Sequence, residues 1–436
     1  MGLKMPFLTD LDSRAAVKGS RDPLGIQQIW TRLGRHVVGN LTTVSTSVRD
    51  FGTLLLGYHF AERLADDLGP GRELATFIKW EQLAAYARAS CNNDYSFRGT
   101  EKVRRILDEG GRVYLSDDRS HQILASQKMY GLWGLYTVPA RTSWMLEGEP
   151  ARLTTAGRAI VEEHYLPRMG GAQGRHVNRI CDLLKQKQAK LDVGKGDAGL
   201  VQAVAHALPQ KLTQGERGFF REFLLDGGPE DPTNGRQRQF ASLVRETLSD
   251  DAWRFSPPAI RHFAKQARSR GEEWEPLAHR LERIATCETV MGPAAMLFSY
   301  LLGLDEKAVA TASERLKATW GPSIRTVDAE SFRDLQPEIS SGDASLGDRW
   351  MAVAEGFAQG DYDSAIAALM QQNKHVMGGR GGAAWIELRG GRFHVRMRDE
   401  HGRLPDRDQL PELWRFPYFL DSVRTVALAL GDGGDE

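Results

Sequence analysis

Apolar residues recur at helical spacing along most of this chain, and only a few short stretches alternate with the period of a strand. A first helix is predicted over Ile26 to Leu33, after the Pro23 and Gly25 that punctuate S-R-D-P-L-G. The next segment mixes signals. Val37, Val38, Val44 and Val48 favour strands, whereas Phe51, Leu54, Leu55, Tyr58 and Leu64 repeat at helical spacing, so a helix is expected from Thr46 or Ser47 to Asp67–Gly71. Residues 72–90, with Phe77, Trp80, Leu83 and Tyr86, read as a second long helix. Thr100 is placed to cap another carrying Val103, Ile106 and Leu107, which Gly110 and Gly111 stop. After a strand-like R-V-Y-L, Ser116 with Asp117 and Asp118 predicts a further helix reaching Gly131 or Tyr136, because carboxylates oppose the positive end of a helix dipole.

From Met129 to Tyr165 the pattern has the order of the back half of a winged helix. Leu132, Trp133 and Leu135 close the preceding helix. Thr142 to Leu146 and Ala151 to Leu153 are two expected wing strands around Glu147-Gly148-Glu149-Pro150, and Thr154 or Thr155 caps a helix bearing Ile160, Val161 and Tyr165. Residues 72–169 thus resemble a winged-helix module. Winged-helix transcription regulators and many bacterial restriction and defence proteins end it with a phrase like L-T-T-A-G-R, here at 153–158. The resemblance implies DNA binding or protein docking, and the acidic tip departs from the basic wing of a DNA contact. R-D-P-L-G at 21–25, followed by T-T-V-S-T-S-V-R-D-F at 42–51, is similar to the opening of an uncharacterised bacterial family found among anti-phage defence genes. That similarity implies a genomic context and no catalytic motif. Read alone, Gly39, Asn40 and the hydroxyl cluster build a turn and cap a helix.

Arg168, Arg175, His176, Arg179, Lys185, Lys187 and Lys190 outnumber Asp182 along the next helix, whose other side carries Val177, Ile180 and Leu184. This is either a phosphate-tracking face or an ordinary solvated one. D-V-G-K-G-D at 192–197 reads as a joint, and the pattern beyond it is helical for most of the remaining chain. Thr213 with Glu216 forms a capping box, Asp231-Pro232 and Ser256-Pro257 mark helix starts, and Trp274 to Leu302 is the most apolar segment. W-I-E-L-R-G-G-R-F-H-V-R-M-R then reads as a hairpin across Gly390-Gly391, with Arg392, His394, Arg396 and Arg398 on one face and Phe393, Val395 and Met397 on the other. Lys374, His375 and Arg380 lie just upstream. The arginines either bind an anion or pair with Glu387, Asp399 and Glu400. A final helix over Trp414 to Leu430 is expected to pack on the hairpin before the acidic Asp432–Glu436 tail.

These elements predict a mainly α, multi-domain chain: an N-terminal arm and helical segment (1–71), a winged-helix-like domain (72–169), a helical domain (170–372), and a β-hairpin with a C-terminal helix (373–436). At 436 residues several domains are expected, and a hydrophobic fraction of 41% supports folded cores. Zero formal net charge argues against a polybasic binding mode and leaves room for a local basic face. Cys91, Cys181 and Cys287 lack any C-x-x-C partner, which fits a reducing cytoplasm and argues against disulfides or structural zinc. No run approaches the roughly 18 apolar residues of a membrane span, and Gly2 is not in a myristoylation context.

The motif search finds no phosphate loop, dinucleotide fingerprint, H-E-x-x-H or G-x-S-x-G, so no cofactor and no metal set is predicted. Arg158 and His164 have a spacing reminiscent of some helical ribonucleases, and scattered carboxylates leave room for a nuclease site assembled from distant positions. The leading expectation is a non-enzymatic, DNA-binding cytoplasmic component of a bacterial complex, plausible in anti-phage defence. His121, Gln122, Ser126 and Lys128 would read bases, while Arg175, Arg179, Lys187, Arg380, Arg392, Arg396 and Arg398 would contact phosphates. The alternatives are a scaffold docking partner proteins through the winged helix, and a cryptic metal-dependent nuclease subunit.

Overall fold

The structure is a computed structural model that describes residues 19–45, 47–340, 343–399 and 401–431. The expectations for Gly2, Thr46, Glu400 and the Asp432–Glu436 tail lie outside them. The chain is mainly α-helical, as its periodicity predicts. Its contacts gather into two units, Met1–Val37 with Ala252–Tyr418, and Val38–Asp251 with Phe419–Glu436. The expected boundaries after 71 and 169 fall inside the second unit, and that after 372 falls inside the first.

Helix α1 (Ile26–Arg35) opens the first unit, its start held by the Asp22 carboxylate, which accepts the Ile26 N–H at 2.8 Å. The second unit is organised around α2 (Val48–Arg63) and α3 (Glu73–Asn92), each buried on nearly every side. Gly57 makes their close approach possible, since a Cβ there would stand 2.5 Å from Phe77. Before α2, Asn40 is buried and bonded to the Phe223 carbonyl and the Gln237 amide, so the 39–47 turn is anchored across the unit. Ser47 makes no capping bond.

After α4 (Thr100–Asp108), β1 (Arg112–Ser116) forms as the R-V-Y-L pattern predicts. The helix expected from Ser116 does not. Residues 117–126 are turns and bends, followed by one helical turn at Gln127–Tyr130 and then α5 (Leu132–Thr142). The physical reason is competition for the backbone. Gln82 both donates to the Ser116 carbonyl (2.8 Å) and accepts its N–H (3.0 Å), extending the strand, while the Ser116 hydroxyl and the Asp118 carboxylate take the next N–H groups in local turns.

The expected wing strands shrink to β2 (Leu146–Glu147) and β3 (Arg152–Leu153), paired antiparallel. Thr154 caps α6 (Thr155–Ile160) through the Gly157 N–H at 3.0 Å, and Gly157 lies so near the Met145 carbonyl that a Cβ would stand 2.3 Å from it. A π turn at Val161–Tyr165 continues this helix. Helix α7 (Arg175–Lys185) buries Val177, Ile180 and Leu184, and β4 (Gln188–Asp192) then pairs antiparallel with β1. The 192–197 segment closes as a turn, with the Asp197 carboxylate accepting the Asp192 N–H, and leads into α8 (Ala198–Ala207). The Thr213–Glu216 capping box forms. Asp231-Pro232 starts no helix, because the Asp231 carboxylate is engaged by the Thr233 and Gly235 N–H groups; α9 (Arg236–Arg245) begins after Gly235.

Back in the first unit, Ser256 caps α10 (Pro257–Ser269), which packs on the long α11 (Glu275–Leu301). The Glu272–Leu301 stretch is long and apolar enough to cross a membrane by length and composition, and 72% of its apolar window is buried inside the fold. Helices α12 (Ala344–Gln359) and α13 (Tyr362–Gly379) pack together, and β5 (Ile386–Arg389) and β6 (Arg392–Val395) form the predicted hairpin. The final helix is shorter than expected. Residues 414–417 are not helical, the Arg415 and Phe416 N–H groups going to Glu288, and α14 (Leu420–Ala429) packs on α9 in the second unit.

Candidate functional site

In the second unit, the β1–β4 ribbon alternates in the ordinary way. Val113, Leu115, Ala189 and Leu191 face the core, and Arg112, Tyr114, Gln188 and Lys190 face out. Tyr114 is 45% exposed, a large value for a tyrosine on a two-stranded ribbon. The His121 ring lies 5.4 Å from it, and His121 Nε2 is 2.9 Å from the Gln188 amide nitrogen. Asp118 sits beside them, its carboxyl held below the usual range first by the Ser120 N–H and then by the Ser120 hydroxyl, with weaker help from His121 and Lys187. The structure therefore gathers His121 and Lys187 with Tyr114, Gln188 and Lys190 on one exposed face. Sequence reasoning missed Tyr114 and Gln188 there, although the alternation of R-V-Y-L-S already marks Tyr114 as outward.

The other expected base-reading residues are placed differently. Gln122 is buried, donating to the Asp117 carbonyl (2.8 Å) and accepting the Gln127 N–H (2.9 Å), so its amide holds the loop. Ser126 precedes the Gln127–Tyr130 turn without a capping bond, and Lys128 is exposed on that turn. They lie on a loop and a single helical turn, not on the recognition helix the sequence predicted. On α7, Arg175 is exposed and bonds to the His176 ring, while Arg179 is 3.4 Å from Asp197.

In the first unit the hairpin arginines are largely engaged. Arg392 donates to the Glu306 carbonyl (2.8 Å), Arg396 pairs with Glu387 (3.0 Å), the alternative to anion binding, and Arg398 pairs with Asp305. Arg380 reaches Ser20 and the Asp22 carbonyl. Asp399 accepts instead from the Ser299 hydroxyl and the His401 N–H.

These contacts bring together a group that spacing did not reveal. Asp305, Glu306 and His394 place ligand-type atoms within 4.8 Å of one another. The Val395 N–H is the chief cause, followed by Arg398, that holds the Asp305 carboxyl below its ordinary range. Glu306 is 74% exposed, and its carboxylate lies 4.0 Å from His394 Nδ1. Two carboxylates and an imidazole suit a divalent cation that keeps open positions for water or substrate. Asp305 keeps accepting capacity beyond its two present bonds, since an ionised carboxylate offers about four lone-pair sites.

Arg158 and His164 engage different neighbours. Arg158 pairs with Glu62 at 2.7 Å, whereas the His164 ring lies against Gly215. The three cysteines are free. Comparison with family models, with curated proteins and with solved structures finds no match.

Proposed function

We propose that this protein acts on nucleic acid as a metal-dependent nuclease subunit, with Asp305, Glu306 and His394 holding a divalent cation beside the hairpin arginines. The observation that carries this reading is the convergence of the three donors within 4.8 Å, contributed by the loop after α11 and by β6. A cation there would polarise a phosphoryl oxygen and acidify a bound water, and Arg392 and Arg396 on the same hairpin would position the backbone. The test is cleavage of labelled single- and double-stranded DNA and RNA by the full chain with magnesium or manganese. The reading expects activity that EDTA and His394→Ala both abolish. No cleavage with any of these substrates, alone or with co-purifying partners, overturns it.

A second reading, binding without cleavage, is favoured by the ribbon face. An exposed Tyr114 beside His121, with Lys190, Arg112 and Lys187 around it, combines a stacking surface with phosphate-seeking charge, the pairing that single-strand binders use. A salt-titrated gel shift distinguishes it, because this face predicts binding that needs no metal and weakens steadily with salt. A docking role draws support from the exposed Met129, Tyr130 and Val138. Under each reading, membership of a bacterial defence complex remains the proposed context.

A further inference from the structure

Eight large apolar side chains are exposed among the described residues, and four of them, Met129, Tyr130, Val138 and Trp144, lie on one short stretch of the second unit. Gly134, Val138 and Arg141 are the exposed positions of α5, at the i, i+4, i+7 spacing of a single helix face. The Gln127–Tyr130 turn abuts the start of that face, because a Cβ on Gly134 would stand 2.4 Å from the Met129 carbonyl. Met129, Tyr130 and Val138, each more than half exposed, therefore form one apolar patch. Soluble chains keep such clusters small unless something covers them.

The end of α5 gives an independent sign of the same kind. It closes in a Schellman turn, in which the Met145 N–H donates to the Ala140 carbonyl at 2.9 Å and the Trp144 N–H to the Arg141 carbonyl at 3.0 Å. The left-handed position of such a turn ordinarily holds glycine, and here Trp144 occupies it with φ at 60°. A tryptophan is strained there. Trp144 nonetheless remains 37% exposed, so packing within the chain uses only part of a side-chain type that dominates contact surfaces.

Four charged side chains border the patch, Lys128 and Arg141 on the helical side and Glu147 and Glu149 on the β2–β3 hairpin, which packs on α5 through β2. All four are exposed, and none has a hydrogen-bond or ion-pair partner among the described residues. Two cations and two carboxylates make the border complementary to itself, whereas a nucleic acid or another strongly charged partner would meet repulsion along half of it. We propose that this face joins two copies of the chain about a two-fold axis, with Met129, Tyr130, Val138 and Trp144 in the apolar centre and the cations of each copy against the carboxylates of the other. The proposal rests on the docking reading and names its partner.

Sedimentation equilibrium of the full chain tests it. A concentration-dependent species of twice the 48.6 kDa chain mass is expected. Val138→Glu, at an exposed helical position, should raise the dissociation constant about ten-fold or more, as the loss of a central contact does. Reversing the cations (Lys128→Glu with Arg141→Glu) or the carboxylates (Glu147→Lys with Glu149→Lys) should each weaken the dimer. Mixing the two reversed proteins should restore it as a heterodimer, an outcome that a damaged fold cannot give. A chain that stays monomeric up to about 100 μM, where even a weak specific contact is populated, overturns the proposal. So does a dimer that Val138→Glu and the reversals leave intact. If the monomer instead binds a different protein and Val138→Glu breaks that complex, the docking reading survives and the second copy is rejected.

Discussion

Tyr418 donates its phenolic hydrogen to Glu288 at 2.9 Å, in the core of the first unit, where Glu288 is wholly buried on α11. The same carboxylate accepts the Arg415 and Phe416 N–H groups, so one acid holds the non-helical segment before Tyr418 against the longest helix. Burial outweighs these three donors and pushes Glu288 up to about 8. The folded value lies above the ordinary carboxyl value of 4.5. Its stabilising contribution is therefore fully present below that value and is lost as pH rises toward 8. Glu288→Gln, which cannot ionise, should flatten this dependence. Thermal unfolding measured from pH 5 to 8 should show the wild-type midpoint falling relative to the variant's, and parallel curves would contradict the assignment.

Arg88 is the corresponding linchpin of the second unit. It pairs with Asp50 at 2.6 Å and Asp94 at 2.8 Å, with all three side chains almost fully buried. Arg88→Leu leaves two carboxylates without a counter-charge, and breaking a buried pair in this way costs about 3–5 kcal/mol. Chemical denaturation should show a loss of that order. A change below about 1 kcal/mol would mean that the aspartates find other partners or take up protons cheaply.

At the metal cluster, Asp305→Asn and His394→Ala should each weaken manganese binding, read by electron paramagnetic resonance of the free ion. Asp408→Asn, at an exposed carboxylate outside the cluster, should leave it unchanged. Equal affinity in all four proteins would remove the cluster from consideration.

On the β1–β4 ribbon, Tyr114→Ala should lower affinity for single-stranded nucleic acid by about 1–3 kcal/mol while leaving the salt slope alone, because stacking releases no counterions. Lys190→Ala should weaken binding and reduce that slope by about one ion. A tyrosine variant that binds like wild type would rule out the stacking surface.

What the chain order determined by itself is local. The Thr213–Glu216 capping box, the Thr154 cap and the hairpin across Gly390-Gly391 each depend on residues within a few positions of one another, so their chemistry is complete in a short window. The mainly helical class follows for the same reason, since the apolar period is a local property. Tertiary structure decided the rest wherever a distant side chain displaced the local one. Gln82 took the Ser116 backbone and turned an expected recognition helix into a loop, and Glu288 took the N–H groups that the predicted last helix needed. The candidate sites have the same origin. Asp305 meets His394 only because packing joins segments whose spacing in the chain carries no signal. A capping residue reads its partner in the next turn, whereas a ligand set is written in contacts that exist only once the core has formed.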